Sequence, residues 1–175
     1  MQYTHHYESP IGRILLAADG EGLTGLWFEG QKYFARCLDA EHEEKPLSVF
    51  ERTDEWLDIY FSGREPDFIP QFHMIGTDFQ IAVWKLLLQI PYGRTVTYGE
   101  LARKVAGQKG LKRMSAQAVG GAVGHNEISI IVPCHRVVGT NGSLTGYAGG
   151  IDKKVKLLTL ERVDMEGYFI PKEAR

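Results

Sequence analysis

The stretch "TVTYGELARKVAGQKGLKRMSAQAVGGAVGH", residues 95–125, decides the fold of the half of the chain that holds it. Thr97 with Glu100 three positions on has capping-box spacing. The hydroxyl can accept the backbone N–H of the third helical residue while the carboxylate reaches back to the cap. The spacing predicts a short helix opening at Thr97 and ending near Gly107. A basic connector, "QKGLKRM", follows, and Ser115 opens a second helix, "AQAVGGAVGH", built almost entirely from small residues. Two short helices joined this way predict a helix-turn-helix. The second is unusual, because each of its adjacent glycines costs roughly 1 kcal/mol relative to alanine. Such a helix suits a face that must approach something bulky. One reading is tight packing on another helix. The other is a fit into a nucleic-acid groove by shape, with Lys109, Lys112 and Arg113 available to phosphates.

Upstream, "FQIAVWKLLLQI" reads as an amphipathic helix with Phe79, Val83, Leu86, Leu87 and Ile90 on its buried face and Asp78 as its cap. "PYG" at residues 91–93 stops it. Downstream, "DKKVKLLTLERV" predicts a last amphipathic helix. The first thirty residues differ in texture. "QYTHHYES", "RILLAADGEG" and "LTGLWFEG" are strand-like runs separated by turn residues, which predicts an antiparallel meander. Residues 47–62 predict a helix with Leu47, Phe50, Leu57 and Phe61 near one face, ended by Gly63 and Pro66. "DFIPQFHMI" allows an extended segment that Pro70 confines to an edge. Trp27, Trp56 and Trp84 are expected in the core, and His5 and His6 on the surface of an edge strand. The expected class is α+β, in two domains. Residues 1–75 form a small antiparallel sheet with a helix, and residues 76–175 a mostly helical, winged-helix-like helix-turn-helix domain.

The chain has 175 residues, of which 43% are hydrophobic and 24% charged, as in ordinary globular proteins. It has no apolar run of membrane-spanning length and no signal-peptide pattern at its start, so a cytoplasmic protein without a membrane role is expected. Residues 1–75 carry 6 Lys and Arg against 14 Asp and Glu, whereas residues 76–175 carry 14 against 8. That asymmetry fits a second half that meets a polyanion, or a chance segregation of solvated charge.

The two cysteines are Cys37 and Cys134. Cys37 reads as structural or incidental, and a disulfide between the two is not expected in a reducing compartment. Cys134 stands in "IVPCHRVVGTNGSLTGYAGG", residues 131–150, where an apolar run breaks into a glycine-rich loop. That is a place to expose a reactive thiol. If the segment is extended, His135 points away from the sulfur and acts on it through a water, with Glu161 orienting the imidazole. Taken alone, the pair reads more simply as a buried cysteine beside an unrelated histidine. No ligand spacing supports zinc or another metal.

The segments "IPYGRTVTYGELA", "SAQAVGGAVGHN", "IIVPCHRVVGTNGSLTGYAGG" and "LLTLE", in this order, resemble the O6-alkylguanine-DNA alkyltransferase family, the methylated-DNA–protein-cysteine methyltransferases. The match runs over about residues 76–162. The resemblance implies direct-reversal DNA repair without a cofactor. An alkyl group on O6-alkylguanine, with O4-alkylthymine as a second candidate, passes to Cys134 as a thioether in a single turnover. The partner is double-stranded DNA approached from the minor groove by a monomer, with the damaged nucleotide flipped from the stack.

By the same resemblance, Cys134 is the acceptor, His135 the water-mediated base and Glu161 its orienting group. Asn126 braces the active-site turn, and Tyr98 helps extrude the nucleotide and protonates the departing guanine. Val137, Tyr147, Ala148 and Gly149 contact the base. Ser115, Ala116, Gln117, Ala118 and Gly120 of the recognition helix, with Lys112, Arg113 and Tyr98, bind DNA. Gln117 stands where many relatives have an arginine that enters the vacated stack. The connector before this helix is longer than in some relatives. No metal-binding cysteines precede the family match, so a fused sensor domain is not expected. Two other classes remain at this stage: a lesion binder that does not react, and a Cys-His hydrolase of a small substrate.

Overall fold

The computed structural model describes residues 1–171. The chain forms two compact units: residues 1–76 with 127–131, and residues 77–126 with 132 onward. In the first, β1 (Gln2–Ser9), β2 (Gly12–Ala18) and β3 (Leu23–Phe28) pair antiparallel in succession, as alternating apolar runs joined by tight turns should. A fourth strand, β4 (His42–Glu44), corrects the meander. It lies beside β1 and runs parallel to it over Gln2–Thr4, giving the order β3-β2-β1-β4. Its three residues are polar and exposed, so no hydrophobic alternation marks it in the sequence.

The other edge of β3 is covered by two short pieces of chain. Leu23 donates to Gln71 O at 2.9 Å and accepts from His73 N at 2.7 Å, while Leu26 does the same with Glu127 O at 2.8 Å and Ser129 N at 3.0 Å. The extended segment read in "DFIPQFHMI" is thereby reduced to one bridge, Leu23 to Phe72, since Pro70 has no N–H to give a longer ladder. Both pieces satisfy backbone groups that an open edge would leave to another chain.

Helix α1 (Ser48–Phe61) buries Phe50, Thr53, Trp56, Leu57 and Tyr60. Leu47 caps this helix instead of lying on its face, and Phe61 is only half-buried. His5 and His6 are half-buried, with side chains 33% and 29% exposed: His5 stacks on Phe50 at 5.4 Å and its Nε2 meets Asp54 Oδ2 at 2.8 Å. His73 Nδ1 meets Asp19 Oδ2 at 2.7 Å and Glu21 Oε2 at 3.1 Å. Trp27 is fully buried, and its indole N–H donates to Glu127 Oε2 at 3.1 Å. A Cβ at Gly25 would lie 2.0 Å from that indole, so only glycine fits under it. Gly25→Ala is therefore expected to lower stability by about 2 kcal/mol, measured by urea denaturation.

In the second unit, α2 (Asp78–Leu87) buries Val83, Trp84, Leu86 and Leu87. Its cap is Thr77, not Asp78. Thr77 Oγ1 accepts from Gln80 N at 3.1 Å and Gln80 Oε1 accepts from Thr77 N at 3.0 Å, a capping box that a reading from Asp78 misses. Asp78 instead sits in the first turn, where a negative charge suits the helix dipole. Helix α3 (Tyr98–Lys109) opens with the expected box of Thr97 and Glu100. It runs past Gly107 and ends at Gly110, whose φ of 68° closes the last turn. The connector is correspondingly shorter than "QKGLKRM", and it leads to Ser115, which caps α4 (Ala116–Gly124). Trp84 Nε1 donates to Ala122 O at 2.8 Å and joins α2 to α4.

Two-residue strands β5 (Val96–Thr97) and β6 (Val137–Val138) pair in parallel, and α5 (Ile151–Leu160) follows. The loop between β6 and α5 is pinned from the C-terminal side. Leu144 N donates to Phe169 O at 2.8 Å, Phe169 N donates to Gly142 O at 3.1 Å, and Tyr168 Oη lies 2.8 Å from Thr95 Oγ1. No helix among the described residues is long and apolar enough to cross a membrane.

Candidate active site

Pro133 breaks the apolar run "ISIIV", and the chain turns at Cys134–Arg136 as a single turn of 3-10 helix, not as the extended segment expected from the sequence. The turn is closed by Cys134 N to Val132 O at 2.8 Å and Arg136 N to Pro133 O at 3.0 Å. It also buries what it carries. Cys134 is 5% exposed and His135 is fully buried, which corrects the expectation of an exposed thiol. Asn126 braces the turn by donating from Nδ2 to Val132 O at 2.8 Å, and its amide also hydrogen-bonds the sulfur.

Burial pushes the Cys134 thiol pKa up, against the Asn126 amide, the positive charge of Lys154 and nearby backbone N–H groups. The sulfur is thus a protonated thiol at rest, with a set of donors ready for the thiolate.

His135 Nε2 lies 2.5 Å from Glu161 Oε2. With an ionised carboxylate there, Nε2 carries the ring proton and Nδ1 is the basic nitrogen. Burial lowers the imidazole pKa against the pull of Glu161, so the ring is neutral at neutral pH and able to accept a proton. Glu161 is held from three sides. Its Oε1 accepts from Arg136 Nε at 2.8 Å and from Gly93 N at 3.0 Å, in addition to the imidazole on Oε2. Burial alone would raise the carboxyl, but His135 and then Arg136 outweigh it and hold its pKa at about 2. Arg136 is itself buried and also donates to Ile90 O at 2.7 Å.

Tyr98, the first residue of α3, hydrogen-bonds from its hydroxyl to Thr145 O at 3.1 Å. Burial, and then the negative charge of a Cys134 thiolate, push this phenol up to about 12, so it is a proton donor at neutral pH. Glycine is required at one neighbour: a Cβ at Gly146 (φ 79°) would meet the hydroxyl at 2.8 Å, whereas one at Gly120 of α4 would rest in ordinary contact, 3.7 Å from the ring. Val137 and Tyr147 are buried, with the Tyr147 ring edge-on to His135 at 6.4 Å, and Ala148 and Gly149 are half-buried in the same loop.

The two readings of the small helix now separate. α4 buries Val119, Ala122 and Val123, while Ala116, Gln117, Ala118 and Gly121 are exposed together with Ser115, Lys112 and Arg113. Helix packing accounts for the buried set. It leaves the exposed small face without an internal use. Both cysteines are free, and Cys37 is half-buried with its thiol directed to Thr24 O at 3.5 Å and its pKa raised by burial.

Sequence reasoning missed two residues that hold this arrangement. Arg136 lies inside the motif, where the sequence reading assigns it no role. Lys154 lies on α5 at the spacing 154, 157, 158, 161, in register with buried Leu157, Leu158 and Glu161. A lysine on the apolar stripe of a helix is the signal that could have found it.

The second unit is thus a helix-turn-helix domain in which a buried cysteine is followed by a histidine held by a buried glutamate. Residues 78–163 match the family profile of the 6-O-methylguanine DNA methyltransferase DNA binding domain, and residues 2–69 that of the ribonuclease-like domain of the same proteins. The chain belongs to the 6-O-methylguanine DNA methyltransferase family. It is 42% identical to a methylated-DNA–protein-cysteine methyltransferase of Haemophilus influenzae over 92% of this chain and 87% of that one. It is 46% identical to the protein of that name from Mycobacterium bovis over 90% of this chain and 92% of that one. Among solved structures, Mycobacterium tuberculosis OGT in complex with DNA superposes with a TM-score of 0.80 at 42% identity, covering 91% of this chain and 92% of that one.

Proposed function

We propose that this chain is a single-turnover methylated-DNA–protein-cysteine methyltransferase that repairs O6-alkylguanine in double-stranded DNA. The observation that carries the reading is the linked set Asn126–Cys134 and His135–Glu161–Arg136, buried in one helix-turn-helix unit. Cys134 is the acceptor. Its proton passes through a water to His135, which Glu161 holds in the tautomer that accepts it. The sulfur displaces the guanine oxygen at the alkyl carbon, and Tyr98 supplies a proton to the departing base. A thioether has no facile route back to the thiol, so each molecule reacts once and no cofactor is required.

The exposed face of α4, Ser115, Ala116, Gln117 and Ala118, lies in the minor groove. Its lack of bulk admits a close fit with little sequence preference, and Lys112 and Arg113 meet phosphates. The base is flipped so that its pairing edge reaches the sulfur, between Val137 and the loop of Tyr147, Ala148 and Gly149. The protein works as a monomer in the cytoplasm, where thiols stay reduced.

The test is intact-protein and peptide mass spectrometry after mixing with a duplex that carries O6-methylguanine. One added methyl on the Cys134 peptide, saturating at one per protein, is the expected result. Unmodified protein that still retains the duplex would establish a lesion binder instead. Gln117→Arg is expected to tighten duplex binding about threefold to tenfold and to steepen its salt dependence by about one unit of slope. Fluorescence anisotropy across a salt series reads both.

A further inference from the structure

Lys154 is fully buried, and its ammonium has no carboxylate within ion-pair distance among the described residues. A leucine or methionine would fill the same stripe of α5 without the cost of desolvating a charge. What the amine does instead is specific. Nζ donates to Val137 O at 2.6 Å, directly after the nucleophile's turn, and to Thr145 O at 2.9 Å, in the loop that follows. Thr145 O is also the acceptor of the Tyr98 hydroxyl, and Nζ sits 5.9 Å from the centre of the Tyr98 ring. The ammonium and the phenol therefore share one acceptor. The ionisable groups that face Nζ are Cys134 and His135 from the turn and Tyr98 from α3. On α5's own end, Glu161 is already engaged by His135 and Arg136.

We propose that Lys154 is a positioning residue for alkyl transfer: its charge stabilises the Cys134 thiolate as it forms, and its two hydrogen bonds fix the turn and the loop on either side of Tyr98. The inference rests on the alkyl-transfer reading above and extends it. In the step it serves, the S–C bond forms as the C–O bond to guanine breaks. The thiol proton goes through water to His135 and Tyr98 gives one to the guanine. The imidazolium proton then returns through water to the tyrosinate. Lys154 keeps all three of its protons throughout and acts only through its field and its geometry. Burial lowers its own pKa to about 8, and a Cys134 thiolate pulls it back up, so the two groups support each other's charged form.

The test compares wild type, Lys154→Met and Lys154→Arg by the rate of iodoacetamide capture at Cys134 against pH, read on the Cys134 peptide so that Cys37 does not contribute. A lost cation should move the Cys134 inflection upward by about one unit or more and slow capture at pH 7 about tenfold, with Lys154→Arg close to wild type. Methyl transfer from the O6-methylguanine duplex should fall in parallel. If Lys154→Met slows transfer but leaves the inflection where it was, the charge has no role and the proposal is overturned. If wild type takes no methyl while the inflection still moves, the repair reading fails and the coupling stands. Should Lys154→Met not fold, the Lys154 titration in 13C-lysine-labelled wild type and Cys134→Ser protein gives the same information from the other side. Coupling requires a lower Lys154 pKa in Cys134→Ser; identical curves would overturn it.

Discussion

Cys134→Ser protein is expected to take up no methyl group from an O6-methylguanine duplex, while wild type saturates at one. The hydroxyl differs from the thiol by one atom, but in this environment the difference is decisive. Burial already raises the pKa of the thiol, and a hydroxyl starts far higher, so His135 has no accessible alkoxide to generate. The donors around the sulfur, Asn126 first and then Lys154, help a thiolate much more than they help a neutral alcohol. The exposed face of α4 and Lys112 and Arg113 are untouched by the change, so duplex binding should stay within about threefold of wild type. Intact mass and anisotropy on the same preparation read both quantities. Methyl uptake by the serine variant would place the acceptor elsewhere in the chain.

Glu161→Gln carries the second large effect. The carboxylate accepts from the His135 imidazole and pairs with the Arg136 guanidinium, and its side chain has no exposure. A neutral amide leaves the Arg136 charge buried without a counterion, a loss of about 3–5 kcal/mol. It also no longer fixes the proton on His135 Nε2, so the base loses its tautomer, and transfer should slow by about a hundredfold.

The pH dependence has a definite sign. The Glu161 pKa is about 2 in the fold against 4.5 in its ordinary range, so the folded state holds fewer protons than the unfolded one between those values. Its contribution, on the order of 3 kcal/mol, is complete above about pH 5 and is lost as pH falls toward 2. Urea denaturation at several pH values should show wild type losing this increment on acidification. Glu161→Gln should be weaker at neutral pH and lack that part of the slope. Equal slopes in the two proteins would remove Glu161 from the account.

Much of the second unit is readable from local sequence, because the signals act over three or four residues. The box of Thr97 and Glu100 opens α3 where it was expected, Ser115 caps α4, and Val83, Leu86 and Leu87 of the α2 stripe are buried as its period requires, with Phe79 half-buried and Ile90 beyond the helix end. The same short range explains the errors. Thr77 and Gln80 form a second capping box next to Asp78, itself a common cap residue, and Gly107 offers the same end signal as Gly110, which closes the helix. In the first unit, β4 is three exposed polar residues paired with Gln2–Thr4, and a strand with no buried face leaves no apolar alternation in the sequence.

By itself the sequence determined the succession of β1–β3 and the five helices, the small face of α4, and the presence of one thiol beside a histidine with a carboxylate further along. Only the tertiary structure decided that Cys134 is buried, because burial depends on what the 3-10 turn packs against and not on the residues that form it. It alone brings Gly93, Arg136 and His135 onto Glu161, and Val137 and Thr145 onto the amine of Lys154. These contacts join residues as far apart as 68 positions, and those to Gly93, Val137 and Thr145 use backbone groups that no side-chain pattern reports. The charges and desolvation that set the reactivity of the thiol act through space, and that distance is defined once the chain has folded.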